Sequence, residues 1–332
     1  MIPLIIIGLG RIGANNASLA GNLPLSHLSA ALSSGGFSIH GLVDPDSTKR
    51  QALLARYSQI DPACVVANLD EIPPADQPMI VIATPPISRL ATAEQALALK
   101  PKLLVMEKPL ALDFQTGRKL IDLFQQAGVT LRVNYNRRFD RRHDRWRKAS
   151  PKTPRIVVTR YGKGLYNYAS HMVDLFLHWY GPVESVRAFS AGNSDNADPN
   201  ISFCCHMSAG FDAILLGIEE LKYDQFEIDI FGEERRIELA DGGAEIRHYR
   251  PQANKHYKGY TQLKLDDHID RAPVGGFVEL YEAARNFYLD GKEMDGCDGP
   301  QALMNLAVLE AAKRSYVNGG TYEIPILNQH IN

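Results

Sequence analysis

A β-branched run that ends directly in three glycines constrains this chain more than any other stretch. Leu4 to Ile7 are consecutively apolar, the pattern of a strand buried on both faces. Gly8, Gly10 and Gly13 follow in the spacing G-x-G-x-x-G. A strand that turns on such glycines into a helix fits a dinucleotide pyrophosphate. Gly8 allows the tight turn, Gly10 lets the backbone approach the phosphates, and Gly13 lets the helix pack close to the strand with its positive N-terminus toward the anion. Arg11 and Ile12 fall inside the same candidate cofactor-binding loop. Alone, the spacing also describes an ordinary Gly-rich turn. A second strand, Phe37 to Val43, ends in Asp44 and adds weight to the cofactor reading.

The 332 residues favour two domains, each with its own core. A net charge of -2 gives no drive toward nucleic acid or an anionic membrane. Cys64, Cys204, Cys205 and Cys297 form no C-x-x-C pair, as expected in a reducing cytosol, so a cytoplasmic location is expected. The N-terminal apolar run is too short for a signal peptide, and no run is long enough to span a bilayer.

The first crossover is long. Asn22-Leu-Pro24 interrupts the helix expected after Gly13, and a second helical piece runs from Ser26 to about Ser34. Asp44 is placed to accept hydrogen bonds from the adenosine ribose, whereas Asp46 and Ser47 suit the N-terminus of the next helix, to Tyr57. Met79 to Ala83 is a buried strand stopped by Thr84-Pro85-Pro86, and a helix from Ser88 to Leu99 follows. Leu103 to Met106 runs into Glu107-Lys108-Pro109. A helix from Asp113 to Gln126 leads to the sixth strand, Thr130 to Asn134. Strands alternating with helices imply a doubly wound parallel α/β sheet, with its ligand at the carboxyl ends of the strands. The glycine loop, Asp44, Thr84, Pro86, Glu107, Lys108 and Asn134 all belong to such ends and are the candidate cofactor contacts.

Arg137 to Lys148 is strongly basic, with Phe139, His143 and Trp146 at helical spacing. It reads as an amphipathic helix with solvated arginines, or as a binding site for a phosphorylated substrate or nucleotide-sugar. No other segment extends it into a nucleic-acid surface. From Arg155 onward strands dominate, seven of them to Tyr249, interrupted by a helix from Ser170 to Trp179. This implies an antiparallel sheet in an α+β domain. Asn254 to Ala272 reads as a long polar loop, and helices from Gly276 to Leu289 and Gln301 to Asn318 close the chain. The expected domains are residues 1–133 and 134–332.

Lys108 is placed to hydrogen-bond a substrate hydroxyl and stabilise an alkoxide; its alternative is a surface pair with Glu107. His171, Asp174 and His178 share one helix face. They could bind zinc, but no fourth ligand is apparent, so no metal is expected. A general acid–base role for His171 is the better functional reading, with His178 in the core.

These motifs together resemble the glucose–fructose oxidoreductase / inositol dehydrogenase / rhizopine-catabolism (Gfo/Idh/MocA) family over nearly the whole chain. They include G-L-G-R-I-G, A-T-P-P at Ala83 to Pro86, E-K-P-L at Glu107 to Leu110, N-Y-N-R-R-F at Asn134 to Phe139, and Y-N-Y-A-S-H-M-V-D at Tyr166 to Asp174. The resemblance implies an N-terminal Rossmann domain and a C-terminal α+β domain with a large open, mostly antiparallel sheet, often used to form dimers or tetramers. It also implies a bound nicotinamide dinucleotide, and catalytic roles for Lys108 and His171 on the substrate hydroxyl. Asn136, Arg138, Asn167 and Asp174 match the region of the family's substrate contacts. Two positions depart from the pattern. Asn167 stands where the family often has Asp, so it would orient substrate without taking a proton. Arg89 stands where many members have His. Asp44 beside a 2′-phosphate would repel it, so NAD is expected over NADP. The expected activity is hydride transfer on a sugar or sugar derivative. The alternative is a non-catalytic, cofactor-binding regulator. The arginines at 137 to 147, with Arg138 first and Arg89 second, point to a negatively charged substrate.

Overall fold

The computed structural model describes residues 1–15, 23–149, 152–191, 197–272 and 274–326. The chain divides into two compact units, Met1–Phe139 with Gly275–Leu303, and Asp140–Val274 with Met304–Asn332.

The first unit is built on six parallel strands: β1 (Ile2–Ile7), β2 (Phe37–Val43), β3 (Val65–Val66), β4 (Met79–Ile82), β5 (Leu103–Glu107) and β6 (Thr130–Asn134). Helices α1 (His27–Ser34), α2 (Ser47–Arg56), α3 (Arg89–Leu97) and α4 (Phe114–Gln126) connect them. β4 and β5 are buried at every position, as expected of a doubly covered parallel sheet. Asp46 caps α2 by accepting the Thr48 N–H at 2.9 Å, and Asp113 caps α4 by accepting that of Thr116 at 2.8 Å. The sheet order β6-β5-β4-β1-β2-β3 reverses direction at β1. That switch point opens a crevice at the carboxyl ends of β1 and β4.

The loop after β1 departs from expectation. Arg11–Asn15 form a five-residue π-helical turn, with the N–H groups of Ala14 and Asn15 both bonded to the Gly10 carbonyl. The expected continuation beyond Asn15 lies outside the described residues up to Leu23.

The second unit contains helix α5 (Arg141–Ala149), helix α6 (Ser170–Tyr180) and an eight-stranded sheet. Its strands are β7 (Ile156–Tyr161), β8 (Val183–Ala191), β9 (Ile201–Met207), β10 (Phe211–Gly217), β11 (Phe226–Phe231), β12 (Arg236–Ala240), β13 (Glu245–Ala253) and β14 (Thr261–Arg271), in the order β14-β13-β12-β11-β7-β10-β9-β8. All pairs are antiparallel except β7 with β10. One face places Val157, Phe203, Ala213, Leu215, Ile228 and Ile230 in a core with α6. The opposite face carries an ion-pair ladder in which Arg160, Asp229, Arg236, Glu238 and Arg247 are linked in sequence. Residues 261–271, expected in a loop, form the edge strand β14. The alternation Gln262-Leu263-Lys264-Leu265-Asp266 is a strand signal, outweighed in the sequence by the polar residues around it.

The chain then returns to the first unit. Helix α7 (Phe277–Asp290) places Phe277, Leu280, Tyr281 and Ala284 in the core beneath the parallel sheet, together with Met294. The strand Cys297–Asp298 pairs antiparallel with β6. The closing helix α8 (Gly299–Val317) then adds Val308, Leu309, Ala311 and Ala312 to the core of the second unit. The expected single boundary after residue 133 is therefore corrected: residues 275–303 belong with the first unit. The basic run is corrected too, because Asn136–Phe139 is a 3-10 turn in the first unit, and α5 belongs to the second.

Burial of a large apolar side chain contributes roughly 1.5–3 kcal/mol, and a whole domain is stable by only about 5–15 kcal/mol. A fragment of residues 1–139 lacks Phe277, Leu280, Tyr281 and Met294. It is expected to show no cooperative urea transition by circular dichroism, whereas the same fragment joined by a flexible linker to residues 275–303 regains one. A cooperative transition in the shorter fragment would contradict this division.

Candidate active site

The glycine loop is held by contacts that admit no other residue at two of its three glycines. Gly8 has φ +95°, and a Cβ there would come within 2.8 Å of the Ala83 carbonyl carbon at the end of β4. A Cβ on Gly13 would collide with the Gly8 carbonyl oxygen. No described residue comes within 4 Å of a Cβ position on Gly10, which is the clearance a phosphate group needs. Arg11 and Ile12 lie exposed beside it.

Asp44 is almost fully buried, and its carboxylate ties this loop to β2. Oδ2 accepts the Leu9 N–H at 2.8 Å, Oδ1 accepts the Asp46 N–H at 3.0 Å, and the Lys49 ammonium stands 3.5 Å from Oδ2. A carboxylate has about four acceptor positions, so these bonds leave capacity for a ribose hydroxyl. Beside Asp44 opens a cleft of about 820 Å3, lined by Val43, Pro45, Asn68, Leu69, Thr84 and Gln95 among others. Asn68, Leu69 and Gln95 carried no motif in the sequence. The buried Thr84 hydroxyl has no hydrogen-bond partner among the described residues, so it is ready for a polar group of a bound cofactor. Pro86 opens the short turn Pro86–Ser88 that follows.

The end of β5 is fixed from two sides. Glu107 Oε1 lies 2.9 Å from His27 Nε2 and accepts the Asn134 side-chain N–H at 2.6 Å. Burial pushes this carboxyl up, but the bonds to His27 and Asn134 and the charge of Lys108 outweigh it, so it sits below its ordinary value. Asn134 is itself buried, and its Oδ1 has no partner among the described residues. Lys108 is half-buried and precedes a cis Pro109. Arg89, 2 % exposed, donates to the carbonyls of Thr84 (3.1 Å), Lys108 (3.3 Å) and Pro109. Burial lowers its pKa to about 10, against the opposing pull of Glu107 and Tyr135. Arg89 is thus a backbone clamp, which overturns its expected role as a substrate contact. Sequence reasoning missed His27, whose only signal was a lone histidine opening a helix after a proline break.

Asn136 is half-buried and donates to the Gly275 carbonyl at 3.4 Å. Arg138 is buried and donates to Gln301 Oε1 at 2.6 Å, so neither of the arginines named for a substrate anion stands open to solvent.

In the second unit a π-helical turn, Leu165–Ala169, leads into α6. Asp198 organises that turn by accepting the N–H groups of Tyr166 (2.7 Å) and Asn167 (3.0 Å). The Asn167 side chain is exposed, His171 is half-buried with its ring 6.5 Å from that of Phe226, and Asp174 is buried. Asn305 on α8 donates to the Ser170 carbonyl at 2.7 Å, beside His171. His178, expected in the core, is exposed, because the chain turns Trp179 and Tyr180 inward in its place. Among the described residues no three His, Cys, Asp or Glu side chains cluster as metal ligands, and no helix is long and apolar enough to cross a membrane.

Residues 2–135 match the model of the GFO_IDH_MocA family, described as an oxidoreductase family with an NAD-binding Rossmann fold. That match covers the parallel strands of the first unit, less than half of the chain. Solved structures extend the likeness of fold to the whole chain. An oxidoreductase from Agrobacterium radiobacter in complex with NAD+, L-tartaric acid and magnesium has a TM-score of 0.76 at 17% identity, over 98% of this chain and 99% of that one. UDP-N-acetylglucosamine 3-dehydrogenase GnnA from Acidithiobacillus ferrooxidans has 0.73 at 17% identity, over 95% and 97%. The super-repressor mutant of Gal80p from Saccharomyces cerevisiae has 0.76 at 14% identity, over 100% and 99%. No curated protein matches the sequence.

The first unit thus has the fold of an NAD-binding Rossmann domain. The residues present fit that cofactor, given the clearance over Gly10, the acceptor Asp44 and the unbonded Thr84 hydroxyl. Gly13→Ala is expected to weaken NADH binding by about ten-fold or more in a fluorescence titration, with the second unit's core intact. A parental affinity would show that the loop adapts.

Glu107 also sets a pH dependence. Its folded pKa lies below the ordinary 4.5, so its stabilising contribution is complete above that value and is lost as pH falls through the folded pKa. Urea midpoints measured from pH 7 down to pH 3 are expected to fall more steeply in the parent than in Glu107→Gln. Parallel profiles would show that the carboxylate carries no such term.

Proposed function

We propose that the protein is an NAD-dependent dehydrogenase acting on a hydroxyl or keto carbon of a sugar or sugar derivative, with Lys108 and His171 as its catalytic residues. The observation that supports this reading is the turn after β5, where half-buried Lys108 follows a bonded Glu107 and its carbonyl accepts Arg89, in a domain of NAD-binding Rossmann fold. Bound nicotinamide would supply the hydride acceptor or donor at C4. Lys108 would hold its ammonium against the substrate oxygen and offset negative charge developing there. His171 would take or return the hydroxyl proton, since imidazole titrates near the operating pH. Asn167, an amide, would orient substrate without exchanging a proton, and Asn136, Arg138 and Asp174 would shape the surroundings. Support for a sugar-type substrate comes from a neighbouring fold that is a UDP-N-acetylglucosamine 3-dehydrogenase. The outer face of the second sheet is read as the contact surface for a second copy of the chain. Cytoplasmic residence fits the four free cysteines.

The test is nicotinamide absorbance during incubation with a panel of sugars, sugar acids and nucleotide-sugars. Turnover of at least one is expected, with NAD preferred over NADP. Lys108→Ala and His171→Ala are each expected to lower kcat by about two orders of magnitude while NADH binding stays near parental. Near-parental turnover in either variant would make that residue structural. NADH binding with no turnover of any panel member would favour the regulatory reading.

A further inference from the structure

Behind Lys108 lies a polar cluster assembled from four separate segments of the first unit. His27 opens α1, Glu107 ends β5, Asn134 ends β6 and Tyr281 belongs to α7, and all four are buried. The Tyr281 hydroxyl is 3.2 Å from His27 Nδ1, and His27 Nε2 is 2.9 Å from Glu107 Oε1. The imidazole is further held edge-on to the rings of Phe277 (5.2 Å) and Tyr281 (6.0 Å). The distances allow a continuous chain of donors and acceptors through the imidazole. Burial and the nearby Glu107 charge keep the Tyr281 phenol protonated, so it can donate to Nδ1. Glu107 as an anion accepts only, so Nε2 donates to it. From the other side, Arg89 donates to the carbonyls of Lys108 and Pro109. Lys108 is therefore flanked by a neighbour whose side chain is held and by carbonyls that are held.

Apolar residues of similar volume often stabilise a core as well as a buried ionic cluster does. A cluster kept at this place holds a geometry. We propose that His27, acting through the Glu107 carboxylate, and Arg89, acting through the Lys108 and Pro109 carbonyls, are positioning residues for the Lys108 ammonium. This rests on the reading of Lys108 as the group that meets the substrate oxygen. His27 lies on the long crossover between β1 and β2, outside the motifs quoted for the family resemblance.

The test reads Lys108 directly, without substrate. In the full-length chain, lysines are 13C-methylated by reductive methylation, and the Lys108 signal is identified by its loss in Lys108→Arg. Among the described groups, Glu107 from β5 interacts with the Lys108 charge, Arg89 from α3 meets its carbonyl, and His27 from α1 and Tyr281 from α7 face Glu107 in turn. In His27→Leu, Glu107 loses its N–H donor and is held less firmly as an anion. The ammonium beside it is then less favoured, so the Lys108 signal is expected to move and its titration midpoint to fall by about half a unit or more. In His27→Gln the amide can still donate to Glu107, and most of the parental midpoint is expected to return. Arg89→Met is expected to shift or broaden the same signal. NADH affinity should stay within about two-fold throughout. Should His27→Leu fail to fold, Tyr281→Phe takes its place, with a smaller shift expected in the same direction. An unchanged Lys108 signal and midpoint in His27→Leu, or in Tyr281→Phe where that substitution is used, overturns the proposal. The two readings separate cleanly, since full turnover in Lys108→Ala retires its catalytic role while the signal still reports whether His27 and Arg89 position it.

Discussion

The first unit depends on one carboxylate. Asp44 accepts the N–H of Leu9, inside the glycine turn, and of Asp46, at the start of α2. It thereby joins the ends of β1 and β2 where the sheet order reverses. The steric demands of the turn then follow in a chain. Gly8 lies against the end of β4, and Gly13 against the carbonyl of Gly8, so a side chain at either would pry the loop from the sheet. A carboxylate in that position has two tasks. It ties the glycine turn to the start of α2, and it keeps acceptor capacity beyond those two bonds. The repulsion that a 2′-phosphate would meet is softened by Lys49, whose ammonium is the nearest cation.

Local physics made much of this architecture legible in the sequence. Continuous apolar runs marked β1, β4 and β5. Asp46 and Asp113 marked helix starts, and the glycine spacing marked the turn. The features that stayed hidden share a different origin. β14 alternates only over Gln262 to Asp266 and is otherwise mostly polar, so it reads as a loop when its surroundings are weighed with it. β3 and the strand Cys297–Asp298 have two residues each, too short for any period. The return of residues 275–303 to the first unit is a long-range packing choice with no local signature. Lys108, His171 and Asn134 were identified because they occupy strand ends or a helix face. The partners of His27, Arg89, Asp198 and Asn305 were not legible, because a buried polar residue is recognised only by the partner it meets.

The basic segment after β6 shows the same point. Its arginines read as an anion site or a solvated face, yet several face inward. Arg142 binds the Asp140 carboxylate and donates to the carbonyls of Gly243, Ala244 and Ala272. Arg147 donates to the Trp179 carbonyl and lies 4.8 Å over the Tyr180 ring. Arg138 donates to Gln301. Guanidinium has five N–H donors in a rigid plane, so one side chain can satisfy several carbonyls left over where loops turn beneath a sheet. Buried carbonyls without donors cost free energy, and these arginines supply them. Charge density in the sequence therefore reported unsatisfied backbone as much as any ligand.

The same economy explains why Arg89 stands where the motif led us to expect a substrate contact. The segment Thr84 to Pro86 and the turn Lys108-Pro109 both end strands of the parallel sheet, and both leave carbonyls that no neighbouring strand can pair. One guanidinium spans them. The two loops nearest the switch point are consequently a single mechanical piece, and Glu107 extends it through His27 to α1 and α7. Such rigidity suits a loop that positions a reacting group, because a misplacement of about an ångström can cost a rate about a hundred-fold. The long crossover and the returning helix α7 supply His27 and Tyr281. Both are remote in sequence from the turn they support. They bring to the back of that turn polar groups that the parallel strands, apolar at every buried position of β4, cannot provide.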